Sequence, residues 1–456
     1  MADLVRDLVG ARPQWPKVRG GHHRSSHAVA LVLLAAPVLL LALPYTGGDA
    51  TTVDVTPADV GSALLVCFCG VQVLRGRARP LPPAAAVVFA APTVALAAAA
   101  VTAADPVAAL PGLARYLQIF VLVPVAVVLL VRDERDFRLV VASLLLLAVV
   151  EGAVGLHQYV TGTGASYMGQ DIRAVGTFGA TDVMGMATVV ALGTVVAVAL
   201  ALRPPARHPD WYRPALLVTA CVLCVPLVLS FSRGAWIATV PTLLVLVAFT
   251  GWRRLVQFLA AAIAAVVVLV GGFGVGSSLL NQRLSSITQV TDAPDQSVTD
   301  RYTMWAAASG MWQEHPVTGV GLKGFATHRD AYSGLALSAG SDTAGAGRDF
   351  HRQPLLSPHN MYLLVLSEQG LLGVVGLVGS WLAILVLALR RTWRSLFRGI
   401  GTSADCGLVA IGLLAWQLID FLYADIGGPS TALTGMLFGL CAWWALASRD
   451  GEGGHG

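Results

Sequence analysis

The chain has 456 residues, of which 56% are hydrophobic and only 12% charged. A soluble domain carries about twice that share of charge, and apolar runs this long and this frequent exclude a soluble globular fold. The net charge of +4 decides little as a total; where the charges sit decides much more. Lys17 and Lys323 are the only lysines, and the wealth of Ala, Val and Gly points to a GC-rich genome.

Residues 1–27 form a basic N-terminal segment carrying Arg6, Arg12, Lys17, Arg19 and Arg24. The first apolar run follows it and reads as an uncleaved anchor. Spans are predicted over 28–45, 58–75, 84–104, 109–131, 137–160, 179–202, 214–230, 234–250, 255–276, 360–388, 405–424 and 429–447. Each is roughly 17–29 residues, enough to cross about 30 Å of hydrocarbon. The expected fold is therefore an all-α polytopic membrane protein with about twelve transmembrane helices. Residues 28–276 hold spans one to nine, 277–359 form an extracytoplasmic loop, 360–447 hold spans ten to twelve, and 448–456 are a tail.

Arginine placement sets the orientation. Alternate loops carry Arg75, Arg77 and Arg79; Arg132, Arg135 and Arg138; Arg203, Arg207 and Arg213; Arg253 and Arg254; and Arg390, Arg391, Arg394 and Arg398. The positive-inside rule puts these loops and both termini in the cytoplasm. The short outer loops then carry just Arg173 and Arg233. The long outer segment, about 277–358, contains SVTDRYTMWAAASGMWQEHP, which reads as a helix ended by Pro316. Ser297 and Asp300 form a capping-box pattern. Met304, Trp305, Ala308, Met311 and Trp312 make an apolar face suited to the membrane surface. The Gly/Ala/Ser-rich stretch 338–349 is expected to be mobile.

Several residues stand out against this background. Outer loops avoid arginine, so Arg173, Arg233 and Arg301 call for a reason. Guanidinium groups at a membrane surface suit phosphate, because Arg offers a bidentate fork; lipid headgroup anchoring is the plainer alternative. In SPHNMYLLVLSEQG, Ser357 is placed to cap and Pro358 to open a helix, with His359 in its first turn. A helix N-terminus favours a neutral imidazole able to take a proton from a hydroxyl. Arg115, Glu151, Asp182, Glu368, Gln417 and Asp420 all fall in the outer half of spans, and intramembrane charges usually face a cavity or one another. Arg115 with Glu151 is a plausible pair, and together these residues predict a polar cavity below the outer surface. Gly319, Gly321 and Gly324 spell G-x-G-x-x-G, but no strand precedes them, so a tight turn, or a backbone nest for phosphate, is expected in place of a dinucleotide site. The six cysteines lie in apolar runs and read as packing residues. No basic-aromatic pattern for nucleic acid appears.

SPHNMYLLVLSEQGLLG resembles the His-Asn…Leu…Glu-x-Gly signature of the bacterial O-antigen ligase and polymerase family. RAVGTFG, SFSRGAW and DRYTMWAAASGMWQEHPVTGVGLKGF resemble that family's other segments, in its order, over roughly 150–380. One departure is Ala180-Thr181-Asp182, where the family commonly has an Asn-Pro-Asn-like turn. The resemblance implies a GT-C-like, metal-independent glycosyltransferase of the bacterial cytoplasmic membrane with no cofactor. It would move a glycan from an undecaprenyl diphosphate-linked donor to a glycan, lipid or protein acceptor at the outer face, among membrane lipids. On this reading His359 is the catalytic base, Arg173, Arg233 and Arg301 hold the donor diphosphate, and Asn360, Glu368, Arg115 and Glu151 support them. A lipid-linked oligosaccharide flippase is the alternative, though the halves show no repeat and the polar residues favour one leaflet.

Overall fold

The computed structural model describes residues 23–44, 55–78, 80–167, 173–182, 184–267, 296–333, 341–345, 348–353, 355–397, 403–428 and 430–447. It is dominated by helices: α1 (His23–Leu39), α2 (Pro57–Leu74), α3 (Pro83–Val101), α4 (Pro106–Leu130), α5 (Glu134–Thr161), α6 (Gly185–Leu202), α7 (Tyr212–Leu229), α8 (Arg233–Thr250), α9 (Trp252–Val267), α10 (Gln296–Glu314), α11 (Phe325–Tyr332), α12 (Met361–Phe397), α13 (Ala404–Asp420) and α14 (Thr431–Leu446). Among the described residues, eight are long and apolar enough to cross a membrane: α2 to α8 and α12. α1 and α14 belong to shorter apolar stretches. The predicted spans overlap these helices where the structure describes them, and the last part of the ninth, 268–276, lies outside the described residues.

Local chemistry sets the boundaries. Proline opens α2, α3 and α4, where its missing N–H costs nothing. Thr56 and Asp59 close a reciprocal capping box on α2, while Asp105 and Asp133 cap α4 and α5. The core is built around α6, nearly all of whose residues are buried, and α14. α6 packs on α5, α7, α8 and α13, and α14 on α4, α12 and α13. Thus α13 bridges the two centres.

Charged side chains gather at the two ends of the bundle. At one end Arg115 pairs with Asp59. At the other, Arg138 grips Asp405 with two hydrogen bonds, of 2.6 and 3.1 Å. Arg391 at that second end donates to the carbonyls of Trp444 and Ala447. The helix ends that meet are those the arginine alternation assigns to one side.

Three expectations change. The face of α10 does not lie open to a membrane surface: Met304, Ala308 and Met311 are buried, and α10 packs on α12 and α11. Gln296 is already helical, so Ser297 falls within α10 and not before it. Part of 338–349 is ordered as β2 (Ser341–Gly345) and the start of β3 (Arg348–Gln353). These strands join β1 (Ala165–Tyr167) in a three-stranded antiparallel sheet, which ties the short outer loop to the long one. Residues 268–295, with Arg283, lie outside the described residues.

Candidate functional site

The loop joining α13 to α14 is the hub of the site. Arg301, on the first part of α10, donates from Nη1 to the Tyr423 carbonyl at 3.0 Å. One turn along, Trp305 Nε1 donates to the Pro358 carbonyl at 2.9 Å. The strap before α12 is stitched to the same loop. Asn360 Nδ2 donates to the Leu422 carbonyl at 3.0 Å, and Met361 N–H reaches the carbonyls of Phe421 and Ala424. Asp182 Oδ2 accepts from Ser430 N–H at 3.0 Å, bringing in the loop before α6. A methyl group added at Gly234 would lie 3.5 Å from Tyr423 Cβ, so Arg233 opens α8 beside the hub as well.

His359 is not in the first turn of its helix. Asn360 is the N-cap, its side chain accepting from Leu363 N–H at 3.0 Å, because Asn caps a helix more readily than Ser-Pro opens one here. His359 precedes it in the left-handed region, at φ 47°, strain of the kind that collects at functional sites. The imidazole pKa is lowered from its ordinary value. Burial is the main cause, Asp425 opposes it, and Arg301 adds to it. The shift toward a neutral imidazole follows from desolvation and a neighbouring guanidinium rather than from the helix dipole.

Arg173 lies at the same end of the bundle. It exchanges backbone hydrogen bonds with Ala165 at 2.8 and 3.1 Å, and Ala174 N–H donates to Leu229, the last residue of α7. That segment, RAVGTFG, is held from below by α5. Gln158 accepts from Val175 and Gly176 N–H and donates to the Gly176 carbonyl. Glu151, wholly buried, accepts from Thr177 N–H at 2.9 Å and from its hydroxyl at 2.6 Å.

The predicted pairing of Arg115 with Glu151 is therefore wrong. Arg115 turns to Asp59 and Gln118, and Glu151 supports a loop. Of the six intramembrane polar residues, Arg115 and Glu151 thus each take a partner of their own. Glu368 is a third case. It accepts from the backbone N–H of Phe325, at the start of α11, and from that of Lys323. The G-x-G-x-x-G turn thus cradles a carboxylate of the chain itself. Val320 N–H donates to the Ser367 carbonyl, and Leu371 and Leu372 N–H donate to Pro316 and Val317. Gly370 breaks α12 there at φ 60°, ψ −156°, and the turn occupies the gap. Lys323 side-chain carbons press against Gly112 of α4.

Sequence reasoning missed Asp425, Asp59 and Gln158. Thr56-Pro-Ala-Asp59 was visible as a capping pattern; Asp425 offered only an acid beside a Gly-Gly-Pro turn. Among the described residues no group of three or more His, Cys, Asp or Glu is gathered as a metal site, and the cysteines are free thiols.

Residues 215–378 match the family model described as O-antigen ligase. The matched segment covers less than half of the chain's 456 residues. No curated protein matches the chain. The matched segment runs from α7 through the break in α12, and so includes Arg233, Arg301, His359, Asn360 and Glu368. The match supports a glycan-processing role at a membrane, of the O-antigen ligase or polymerase type. Arg173, Glu151 and Asp425 reach the matched segment from outside its limits.

Proposed function

We propose that the protein is a glycosyltransferase of the bacterial cytoplasmic membrane, moving a glycan from an undecaprenyl diphosphate-linked donor to an acceptor hydroxyl at the outer face. The reading includes about twelve crossings, a GT-C-like architecture, both termini in the cytoplasm and no metal requirement. One observation carries it: the Phe421–Asp425 loop joins a guanidinium, Arg301, to a neutral imidazole, His359.

The chemistry follows from that pairing. The acceptor oxygen attacks the anomeric carbon as His359 takes its proton, and the diphosphate leaves with the electron pair of the broken C–O bond. Arg301, Arg233 and Arg173 meet the charge that gathers on the diphosphate. The N-termini of α6, α8, α12 and α14 open at this end, and their dipoles favour an anion there. Asn360 holds His359 at the hub. Glu151 holds the Arg173 loop, Glu368 holds α10 and α11 against α12, and Arg115 braces α4 on α2.

Membranes containing the chain, given a lipid diphosphate-linked glycan and a hydroxyl acceptor, test the proposal. Glycosylated acceptor and free lipid diphosphate are expected in equal amounts. A donor that crosses the membrane chemically unchanged, with neither product formed, would identify a flippase instead.

A further inference from the structure

One flank of α10 carries two aromatic rings beside the His359 strap. The stripe Met304, Ala308 and Met311 is buried, and α10 packs on α12 and α11. Arg301 and Trp305, one turn apart, form the next row round the helix, and Tyr302 follows outside that row. Tyr302 is 56% exposed, a large aromatic side chain left open at the hub end of the bundle. Trp305 is half-buried, and its Nε1 donates to the Pro358 carbonyl at 2.9 Å. That bond fixes the indole on the residue that precedes His359. The two rings stand 87° to each other with centroids 5.7 Å apart, so they form the walls of a corner.

The chemistry of the corner selects its occupant. With Nε1 engaged, the indole has only its π face and apolar edge to offer. The Tyr302 hydroxyl, at an exposed position, adds one polar group at the rim. Arg301 lies one turn before Trp305, and Ser309, bonded back to the Trp305 carbonyl, one turn after it. A lipid chain calls for a continuous apolar lining, which these two polar residues interrupt. A pyranose ring fits better. Its C–H face rests on the electron-rich face of an aromatic ring, and its hydroxyls meet the polar groups around it. Rings at a right angle touch one face and one edge of such a sugar together.

We propose that the Tyr302–Trp305 corner binds a pyranose ring of a glycan acceptor and brings its hydroxyl to His359. The inference rests on the transferase reading and narrows the acceptor to a sugar. Position sets the role. Arg301 is tied to the hub through the Tyr423 carbonyl and faces the donor diphosphate, whereas Trp305 is tied to the strap that carries the base. A sugar on the indole is therefore held beside the imidazole. The acceptor O–H proton passes to His359 as its oxygen bonds to the anomeric carbon and the C–O bond to the diphosphate breaks. Tyr302 and Trp305 hold the sugar and take no proton.

Saturation-transfer-difference NMR on the full chain in lipid nanodiscs tests the corner with no donor present. The probes are the methyl glycosides of glucose, galactose and N-acetylglucosamine. Ring protons of at least one should take up saturation from the protein. Tyr302→Leu should weaken its binding by about threefold to tenfold, the scale of one aromatic contact. Tyr302→Phe, which keeps the ring, should bind nearly as the unaltered chain does. Tyr302 is exposed, so neither variant opens a packed core. Saturation of none of the three sugars, or equal binding by Tyr302→Leu, would overturn the proposal. The second arm is transfer from a lipid diphosphate-linked glycan to the methyl glycoside that binds best. Tyr302→Leu should raise the acceptor KM by the same factor, with the donor KM and kcat nearly unchanged. A raised donor KM with the acceptor KM unaltered would give the corner to the donor sugar and overturn the proposal. Sugar binding that Tyr302→Leu weakens, without transfer by the unaltered chain, would overturn the transferase reading and the acceptor role with it, leaving a sugar site.

Discussion

Arg173, Arg233 and Arg301 are held in place by different means, and this sets what each substitution should do. Arg301 is anchored through Nη1 to a backbone carbonyl of the hub. Arg233 opens a helix capped by Ser232, and Arg173 sits on a loop that Gln158 and Glu151 clamp from below. If the three grip one diphosphate, Lys at any of them keeps the charge and loses the fork. Each Arg→Lys variant should then lower donor affinity by about tenfold, the scale of one charge-assisted hydrogen bond. Donor titration checks this; full affinity in all three variants would dismiss a guanidinium clamp. These arginines and His359 were legible in the sequence because their placement was anomalous for outer loops or matched a motif. Asp425 was not, since its value depends on how a short loop folds back onto a strap more than sixty residues earlier in the chain. The Arg115–Glu151 pairing failed for a similar reason. Sequence depth put both in one leaflet, but Asp59 at the start of α2 is the carboxylate that Arg115 meets.

Among the elements, the break in α12 does most to position the site. At Gly370 the helix gives up its own hydrogen bonds and takes those of the Pro316–Val320 turn, which fixes α10 and hence Arg301. Gly319, at φ 66°, faces the same backbone. A side chain at 370 would meet the Val317 backbone and hold a conformation open essentially to glycine alone. Gly370→Ala should therefore cost about 1–3 kcal/mol, lower the melting temperature in detergent and reduce transfer. Gly379→Ala, with open space at its Cβ, should do neither. Equal melting of the two variants would show that the turn does not hold the helix. The spans were legible because runs of apolar residues admit little else in a bilayer. The sheet was not, because SDTAG and RDFHRQ lack the alternation of a half-buried strand. The break at Gly370 was not legible either, since Glu-Gln-Gly inside an apolar run reads as uninterrupted helix.

Over the whole molecule, the expected sidedness follows from the arginine alternation, and the helix ends meet in keeping with it. Arg138 with Asp405, and Arg391 with the carboxyl end of α14, mark the end assigned to the cytoplasm. Arg115 with Asp59, and the hub with His359, mark the other. Single cysteines placed at Gln170 and Gly345 in a cysteine-free background should react with an impermeant reagent in intact cells. Those at Ala78 and Glu134 should react only after the membrane is opened. Labelling of Glu134→Cys from outside would invert the molecule and put His359 on the wrong face for the proposed reaction.

The central claim is that His359 acts as a base beside a guanidinium-held diphosphate, and turnover by His359→Ala as a function of pH tests it most directly. The lowered imidazole pKa means that the neutral, proton-accepting form grows as pH rises through a value below 6.5 and persists above it. The unaltered protein should therefore gain activity through that range and then level off. His359→Ala should lose about 10²–10⁴ of the rate, lose the rising limb, and bind the donor as before, because the arginines hold it. Retained turnover with the same pH dependence would contradict the account, and lost donor binding with normal turnover at saturation would move His359 from the acceptor to the donor side.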